Sequence, residues 1–256
     1  MSIKLQFLGT CACDYSEKLK NEFKDCFDYD ARRSSSLLID KKYLVDCGEH
    51  TWDSLRISGA DASKITNVFI THLHDDHFNI ENIRKVASLG KICLWVNENA
   101  PIEEENNIEI VKMKPFQKYN VDGDFTITAL PSNHDPLSFP VHFLIEKEEK
   151  RIFYGCDGAW LLAGTYNFLR NKKLSLMVLD GTVGDYTGDY RLAEHNSIPM
   201  IRMMLPSLKT FGVIDETTRV MISHIAPSLH KSHIETVGLL KKDKIEVAYD
   251  GQKLEI

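Results

Sequence analysis

The sequence predicts an α/β fold built as a layered sandwich with mixed sheets. Strand-like segments occur in both halves of the 256-residue chain, and helical segments lie between them. Several consecutive strands are separated only by short polar turns, which indicates hairpins and argues against a simple doubly wound parallel sheet. The sequence has no glycine-rich nucleotide loop of the GxGxxG or GxxxxGK type. It also has no linker or low-complexity segment, so we expect residues 1–256 to form a single domain.

The elements of the first half follow from hydrophobic alternation and from turn residues. Residues 3–8 alternate apolar and polar side chains, which predicts a strand, and the polar stretch 10–33 is expected to be irregular. Further strands are predicted at 36–39, 43–45 and 67–70, and helices near 52–58 and 79–89.

The rest of the chain predicts five more strands and then helices that alternate with strands. The five strands are KICLWV, IEIVKM, DFTITALP, VHFLIE and RIFYGCD, and EKEEK between the last two is expected to be a hairpin tip. Helices are predicted at 165–170, 198–208 and 231–240, with strands at 174–179 and 219–222. In the final segment, IEVAYDGQKLEI, the pair Asp250-Gly251 is typical of a hairpin turn.

Composition narrows the classes of function. The formal net charge is −6, whereas proteins that bind long nucleic acids are usually basic, so nucleic acid is disfavoured as a partner. No apolar run approaches the ~20 residues of a membrane span, and the first residues do not resemble a signal peptide. We therefore expect a cytoplasmic protein without membrane partners, whose six cysteines are reduced.

The segment THLHDDH, residues 71–77, crowds three histidines and two aspartates into seven positions after the apolar strand NVFI. His72 and His74 are two residues apart, so in extended backbone they point the same way and can bind one ion. Asp76 and His77 come at the turn into the next helix and can point at a second position. Because such groups are costly to bury without a cation, the segment predicts a site for two divalent ions.

Three later residues have the setting to complete two such sites. His134 follows the strand FTITALP, Asp157 follows RIFYG, and His224 follows RVMI. Each candidate thus lies just past the carboxyl end of a strand, where a sheet delivers side chains to one rim. We expect all three to join the cluster at 72–77.

With these residues the chain resembles the metallo-β-lactamase-fold hydrolases. FLGT near the start and YLVDCG at 43–48 are also similar to the first strands of that family. The resemblance implies a four-layer αβ/βα sandwich. It also implies the following ligands: His72, His74 and His134 for the first metal, Asp76, His77 and His224 for the second, Asp157 as the bridge, and Asp46 as a buried group beside the metal loop.

Within this fold, the chain is most similar to the phosphodiesterases that open cyclic phosphates of phosphonate metabolism, followed by ribonuclease Z. The shared features are RRSSSLLID, NHD, YGCDG and LAEHNS. In that branch a histidine at the place of His195 lies beside the metals. The branch also carries a cysteine cluster that binds a structural zinc with a late histidine, whereas Cys11, Cys13 and Cys26 have a different spacing here. Phe78-Asn79 replaces the glycines that often follow the motif.

The resemblance implies a metal-dependent hydrolase, with a phosphodiesterase acting on a small cyclic or nucleotide-like phosphodiester as the leading prediction. Two cations would activate a bridging water. His195 is the predicted proton donor to the leaving oxygen, since imidazole is the natural acid near pH 7, and Asp76 could orient the water. Zinc is expected from the ligand types, and manganese or iron also suits a carboxylate-bridged pair.

Four further residues are candidates for substrate contact. Arg32 and Arg33 are predicted to contact phosphate, because a guanidinium suits phosphate oxygens. His230 and His233, in PSLHKSH, are predicted to line the rim of the site.

Several alternatives stay open. A tRNA-processing endonuclease of the ribonuclease Z type and a lactone or thioester hydrolase would use the same metals. An oxygen-reducing di-iron protein of this fold would carry glutamate in place of His74, so the histidine argues against this class. A non-catalytic metal-binding protein is disfavoured by the complete ligand set. A homodimer is the candidate oligomeric state.

Overall fold

A computed structural model describes residues 2–256 and contains two kinds of regular element. The strands are β1 Lys4–Gly9, β2 Ser36–Ile39, β3 Tyr43–Val45, β4 Asn67–Phe69, β5 Ile92–Asn97, β6 Ile108–Met113, β7 Lys118–Val121, β8 Phe125–Pro131, β9 Val141–Lys147, β10 Lys150–Gly155, β11 Leu176–Asp180, β12 Arg219–Ser223, β13 Ile245–Val247 and β14 Lys253–Glu255. The helices are α1 Glu17–Asn21, α2 Thr51–Ser58, α3 Ile80–Ala87, α4 Ala163–Leu169, α5 Ile198–Thr210 and α6 His233–Leu240.

The strands form two mixed sheets of seven. The first has the order β14-β1-β2-β3-β4-β5-β6 and the second β13-β12-β11-β10-β9-β8-β7. In the first sheet the pairs from β14 to β3 are antiparallel and those from β3 to β6 are parallel. The second sheet is antiparallel from β7 to β10 and parallel from β10 to β13. The predicted hairpin tip between β9 and β10 is confirmed, since Lys147 pairs with Lys150.

Three apolar layers hold the molecule together. Side chains from both sheets, including Phe7, Phe69 and Phe143, share the central layer. Outside it, Ile83 and its neighbours on α2 and α3 cover the first sheet, and Ile201 with its neighbours on α4, α5 and α6 covers the second. Burying each such side chain contributes about 1.5–3 kcal/mol. The layers are therefore helix, sheet, sheet, helix, and the predicted four-layer sandwich is confirmed.

Strand direction brings the polar loops to one edge of the sandwich. β10, β11 and β12 are parallel, and β8 runs the same way as β10 because both are antiparallel to β9. In the first sheet β3 and β4 are parallel to each other. Loops that follow parallel strands gather at one edge of a sheet, so the loops after these six strands are candidates to form one rim.

The predicted hairpin at Asp250-Gly251 is wrong. β13 pairs with β12 in the second sheet, whereas β14 pairs with β1 in the first, so this turn carries the chain from one sheet to the other. Asp250 is buried in the turn, where its carboxylate accepts hydrogen bonds from the Thr10 hydroxyl and the Arg33 backbone N–H. Strand β7 and the short helix α1 are not predicted from the sequence.

Local capping fixes where the outer helices begin. α5 starts after Ser197, whose hydroxyl accepts from the backbone N–H of Met200. α6 starts two residues later than predicted, after Ser232, which forms a capping box with Glu235. Among residues 2–256, no helix is long and apolar enough to cross a membrane.

Candidate metal centre

Three residues of the candidate site adopt left-handed backbone within two residues of the end of a strand. Asp46 has φ 61°, Asp157 has φ 59° and His224 has φ 56°, and none is a glycine. Such conformations cost about 1–3 kcal/mol each and persist where the surrounding structure imposes them, most often at functional sites. Here the sharp turn ends the strand and brings each side chain into the site.

The first group of converging side chains comprises His72, His74, His134 and Asp157. His74 Nδ1 lies 3.1 Å from His72 Nε2 and 3.1 Å from His134 Nε2. Asp157 Oδ2 lies 3.1 Å from His72 Nε2. The side chains come from both sheets, because His72 and His74 follow β4, while His134 and Asp157 follow β8 and β10.

The second group comprises Asp76, His77, His224 and again Asp157. His77 Nε2 lies 3.1 Å from His224 Nε2 and 3.3 Å from Asp76 Oδ2. Asp157 Oδ2 is 3.6 Å from His77 Nε2 and 3.4 Å from His224 Nε2. One carboxylate thus belongs to both groups, in the position of a bridge.

These separations fit bound cations. A tetrahedral ion with ligand bonds of about 2.0–2.1 Å separates its donor atoms by about 3.3–3.4 Å, close to the distances in both groups. Asp157 Oδ1 is buried and accepts no well-aligned hydrogen bond among the described residues, although His195 Nδ1 lies 3.0 Å and His134 Nδ1 3.4 Å away. The site also buries four carboxylates, and buried carboxylates of this kind require nearby positive charge. They belong to Asp46, Asp76, Asp157 and Asp180.

Outer contacts fix which nitrogen of each imidazole faces the groups. His77 Nδ1 donates to Asp46 Oδ2 at 2.8 Å, which leaves Nε2 free to bind. Thr71 links two of these contacts, since its hydroxyl donates to Asp46 and lies 3.0 Å from His72 Nδ1. His74 is reversed, with Nε2 3.4 Å from Asp135 Oδ2 and Nδ1 in the group. Carboxylate–imidazole contacts of this kind orient metal-binding histidines.

Without a cation the candidate ligands differ in protonation. Burial would lower the pKa of His77 and of His224, but the neighbouring aspartates raise both values, that of His224 to about 9, so these two imidazoles must release a proton to bind a cation. Burial lowers the pKa of His72 to about 3, and the charge of the nearby His77 adds to this effect. Burial likewise lowers the pKa of His134, so both imidazoles are neutral near pH 7 and can bind a cation. Burial alone would raise the pKa of Asp76 and Asp157, but the neighbouring imidazoles outweigh it and hold both values below the usual range. Both carboxylates are therefore ionised.

A cavity of about 200 Å³ opens over both groups and contains His195. The Nδ1 atom of His195 lies 3.0 Å from Asp157 Oδ1 and 3.1 Å from Asp180 Oδ2. Burial would lower the pKa of His195, but Asp180 and Asp157 raise it to about 11 before any cation is bound. Nδ1 thus carries a hydrogen toward the carboxylates, and Nε2 is the nitrogen left to exchange a proton with a ligand in the cavity.

Solved structures share this architecture over the whole chain. The metallo-β-lactamase fold protein YhfI from Bacillus subtilis superposes with a TM-score of 0.76, 16% identity, and coverage of 100% of this chain and 99% of that one. The chain has the metallo-β-lactamase fold. A diphosphatase from the PhnP family gives a TM-score of 0.72 with 18% identity over 100% and 98% of the two chains. Zn²⁺-bound PqqB from Methylobacterium extorquens gives 0.75 with 14% identity over 99% and 100%.

Sequence relatives with this fold match parts of the chain. A family model described as the anti-Pycsar protein Apyc1 matches residues 4–85, which include the THLHDDH segment. Zinc phosphodiesterase ELAC protein 1 from Bos taurus is 30% identical over 152 residues, 57% of this chain and 34% of the relative. Ribonuclease Z from Methanococcus maripaludis is 38% identical over 154 residues, 54% of this chain and 44% of the relative. The chain thus spans less than half of these curated relatives.

The four predicted substrate residues lie outside the cavity over the metal groups. Arg32, His230 and His233 line a second cavity of about 220 Å³ that shares no lining residue with the first. Arg32 donates to the Thr10 hydroxyl, to a backbone carbonyl and to His233 Nδ1, while Arg33, 1% exposed, donates to two backbone carbonyls. Their placement does not support contact with a substrate at the metal centre, and that role stays a prediction.

The cysteines of the first loop do not gather into a metal site. Cys11 is buried, whereas Cys13 and Cys26 are exposed. No group of three or more potential ligands in residues 2–256 includes a cysteine. Cys13 instead lines the cavity over the metal groups.

Asp180 and Thr182 also belong to the site, although they are not predicted from the sequence. Asp180 is fully buried at the end of β11, and its Oδ2 lies 3.2 Å from His224 Nδ1 in addition to its contact with His195. Thr182 Oγ1 lies 2.7 Å from His224 Nδ1 and donates to Asp180 Oδ2 at 2.8 Å. The sequence does contain a pattern that could have indicated Asp180. In LMVLDG at 176–181 an apolar strand ends in aspartate, as it does in YLVDCG at 43–48.

Proposed function

We propose that this chain is a metal-dependent hydrolase that uses two divalent cations to cleave small phosphodiesters. The observation that carries the proposal is the pair of four-residue groups that share Asp157 beneath one cavity. The zinc phosphodiesterase and ribonuclease Z among the relatives support it. The ligands come from both sheets, so we also propose that the whole chain acts as one domain.

The ligand set suits zinc, and the names of two relatives include zinc. Manganese or iron would suit the same carboxylate-bridged arrangement. When bound, two such cations activate a water for attack on phosphorus and stabilise the charge on the non-bridging oxygens.

The chain itself supplies proton transfer and orientation. His195 holds a hydrogen on Nδ1 against Asp180 and Asp157, so it delivers a second proton from Nε2 to the leaving oxygen. Asp76 lines the cavity, where its carboxylate can orient the attacking water. Proton delivery needs a side chain in a fixed orientation. Asp157 and Asp180, which contact His195 Nδ1, are buried and therefore hold the imidazole in place.

The charges around the cavity favour a small substrate over a polynucleotide. Its lining includes Asp14 and Glu194 in addition to the aspartates of the two groups, and Arg191 is the one lysine or arginine among the lining residues. Consecutive phosphates of an RNA strand would meet net repulsion at this rim, because basic residues normally neutralise them. A phosphodiester with a single negative charge does not have this difficulty.

A ribonuclease Z-like activity on tRNA is the second candidate, favoured by the 38% identity to an archaeal ribonuclease Z over about half of the chain. A lactone or thioester hydrolase would use the same cations and is distinguished by assay. The predicted cytoplasmic location and a homodimer stay predictions.

The test loads the purified chain with zinc or manganese and measures bound metal. It then compares bis(p-nitrophenyl) phosphate, a tRNA precursor, a lactone and a thioester as substrates. We expect turnover of the phosphodiester, and loss of turnover and of bound metal in Asp157→Ala. Asp75→Ala is the matched control, because Asp75 is exposed in the same motif and belongs to neither group. Wild-type turnover by Asp157→Ala, or turnover of the lactone alone, would contradict the proposal.

A further inference from the structure

The cavity over the metal groups contains one basic side chain that its metal chemistry does not use. Arg191 lines this cavity together with His195, Asp14 and Glu194. Its backbone C=O accepts the N–H of His195 at 2.8 Å, so the two residues share one short turn of the chain. The position of the guanidinium is therefore tied to the position of the proton donor.

Asp189 holds the Arg191 guanidinium in a fixed plane. Asp189 Oδ1 accepts from the backbone N–H and from Nε of Arg191, and Oδ2 accepts from Nη2, each at 2.9 Å. The Tyr190 ring lies against the same guanidinium, with 5.2 Å between the ring centroid and Arg191 Cζ. Within residues 2–256, the Arg191 side chain donates hydrogen bonds only from Nε and Nη2, so Nη1 is left for a ligand.

The surroundings select the kind of ligand. Asp14 and Glu194 make the rest of the rim acidic, so Arg191 is the rim side chain that attracts an anion. A neutral ester would leave its Nη1 with no anionic partner. A phosphodiester offers two non-bridging oxygens, and the pair of cations would not use every lone pair on them. A guanidinium is the side chain that best matches such an oxygen in a fixed orientation.

We propose that Arg191 is the specificity-determining residue of this site, which binds a non-bridging oxygen of a monoanionic phosphodiester and selects it over neutral esters. Asp189 is its positioning residue. The inference rests on the proposed hydrolase function and adds the group that recognises the charge of the substrate.

The test replaces Arg191 with methionine, which keeps the length of the side chain but removes its charge. Arg219→Met is the matched control, because Arg219 donates from Nε and Nη2 to Glu246 in the same two-point geometry, is 36% exposed compared with 31% for Arg191, and lies outside the cavity lining. The measurements on zinc-loaded protein are KM and kcat with bis(p-nitrophenyl) phosphate, the Kd for inorganic phosphate by calorimetry, and bound metal.

We expect Arg191→Met to raise KM and the phosphate Kd by about 10–100-fold, the range for loss of one charge-assisted hydrogen bond. Bound metal should be unchanged and kcat should change by much less than KM. Arg191→Lys should recover part of the affinity, and Asp189→Asn should raise KM by less than Arg191→Met does. Arg219→Met should match the wild type.

Three results would overturn the inference: KM and phosphate Kd within twofold of wild type in Arg191→Met, equal effects in Arg219→Met, or a loss confined to kcat. If Arg191→Met does not fold, as judged by circular dichroism, Arg191→Lys and Asp189→Asn decide by the same criteria. If the wild type cleaves no phosphodiester yet binds phosphate through Arg191, the proposed function fails while the binding role survives.

Discussion

Substitution of Asp180 by asparagine tests the contacts that orient the second group of ligands. Asp180 Oδ2 faces His224 Nδ1 at 3.2 Å and His195 Nδ1 at 3.1 Å, while Oδ1 accepts from the backbone N–H groups of Thr182 and Asn196 at 3.0 and 2.9 Å. On the Oδ1 side, an amide NH₂ would meet two backbone donors. On the Oδ2 side, it would face the two imidazoles without a negative charge and could pair only with the Thr182 hydroxyl, and full burial leaves no room for water to replace the lost contacts.

The magnitude follows from what is lost. Each hydrogen bond to a charged group contributes about 1.5–3 kcal/mol, and removal of an outer partner of a metal-binding histidine typically weakens metal affinity by about 10–100-fold. Asp180 touches His224 in the second group but none of His72, His74 and His134. We therefore expect Asp180→Asn to weaken one of two binding steps by about 10–100-fold and to leave the other unchanged.

A competition titration with a chromophoric zinc chelator resolves the two binding steps. Asp250→Asn is the control, since Asp250 is also buried and accepts two hydrogen bonds but contacts no predicted ligand. It should bind both zinc ions as the wild type does. Equal weakening of both steps in Asp180→Asn, or wild-type affinity at both, would show that Asp180 does not orient the second group of ligands.

Three further predictions concern catalysis, pH and packing. His195→Ala should lower kcat by about 10²–10⁴-fold without loss of metal. It should also remove the fall in activity at alkaline pH that deprotonation of this donor causes. A loss of bound metal that matches the loss of activity would contradict a role in proton transfer. Burial raises the pKa of Asp250 to about 6, so its folded form holds a proton more tightly than the unfolded chain, and the stability this gives near pH 4 is lost as pH rises through 6. Urea unfolding at pH 4.5 and 7.5 should therefore show a smaller pH dependence in Asp250→Asn than in the wild type, and an unchanged dependence would exclude this carboxyl as the source. Gly48→Ala should destabilise the fold by about 1–3 kcal/mol and reduce bound metal, because the added Cβ would lie 1.8 Å from the backbone oxygen of Asp76. A free energy of unfolding equal to that of the wild type would show that the loop containing Asp76 moves aside without cost.

The clustering of the candidate ligands could be predicted because the signals are local. His72 and His74 are two residues apart after a strand, and this spacing fixes a shared direction whatever the rest of the fold does. Asp157 and His224 each follow a buried strand, so an α/β sheet that places strand ends on one edge suffices to bring them together. The structure brings all seven predicted ligands into two groups with one shared member.

Other features depend on contacts between distant parts of the chain. The turn at Asp250-Gly251 has the local chemistry of a hairpin, but the neighbours of β13 and β14 are chosen by packing of two different sheets. Arg32 has the right group for phosphate, yet it is buried against a hydroxyl and a carbonyl, which residue type alone cannot reveal. The orientation of Arg191 by Asp189 likewise required the folded turn.

We expect seven side chains from two sheets to bind a pair of cations, with Asp157 in contact with both. A crystal grown with zinc and measured on both sides of the zinc absorption edge would locate the ions. Two anomalous peaks about 3.5–4 Å apart are expected, one beside His72, His74 and His134 and the other beside Asp76, His77 and His224. A single peak, or two peaks without Asp157 oxygens in contact with both, would contradict this expectation.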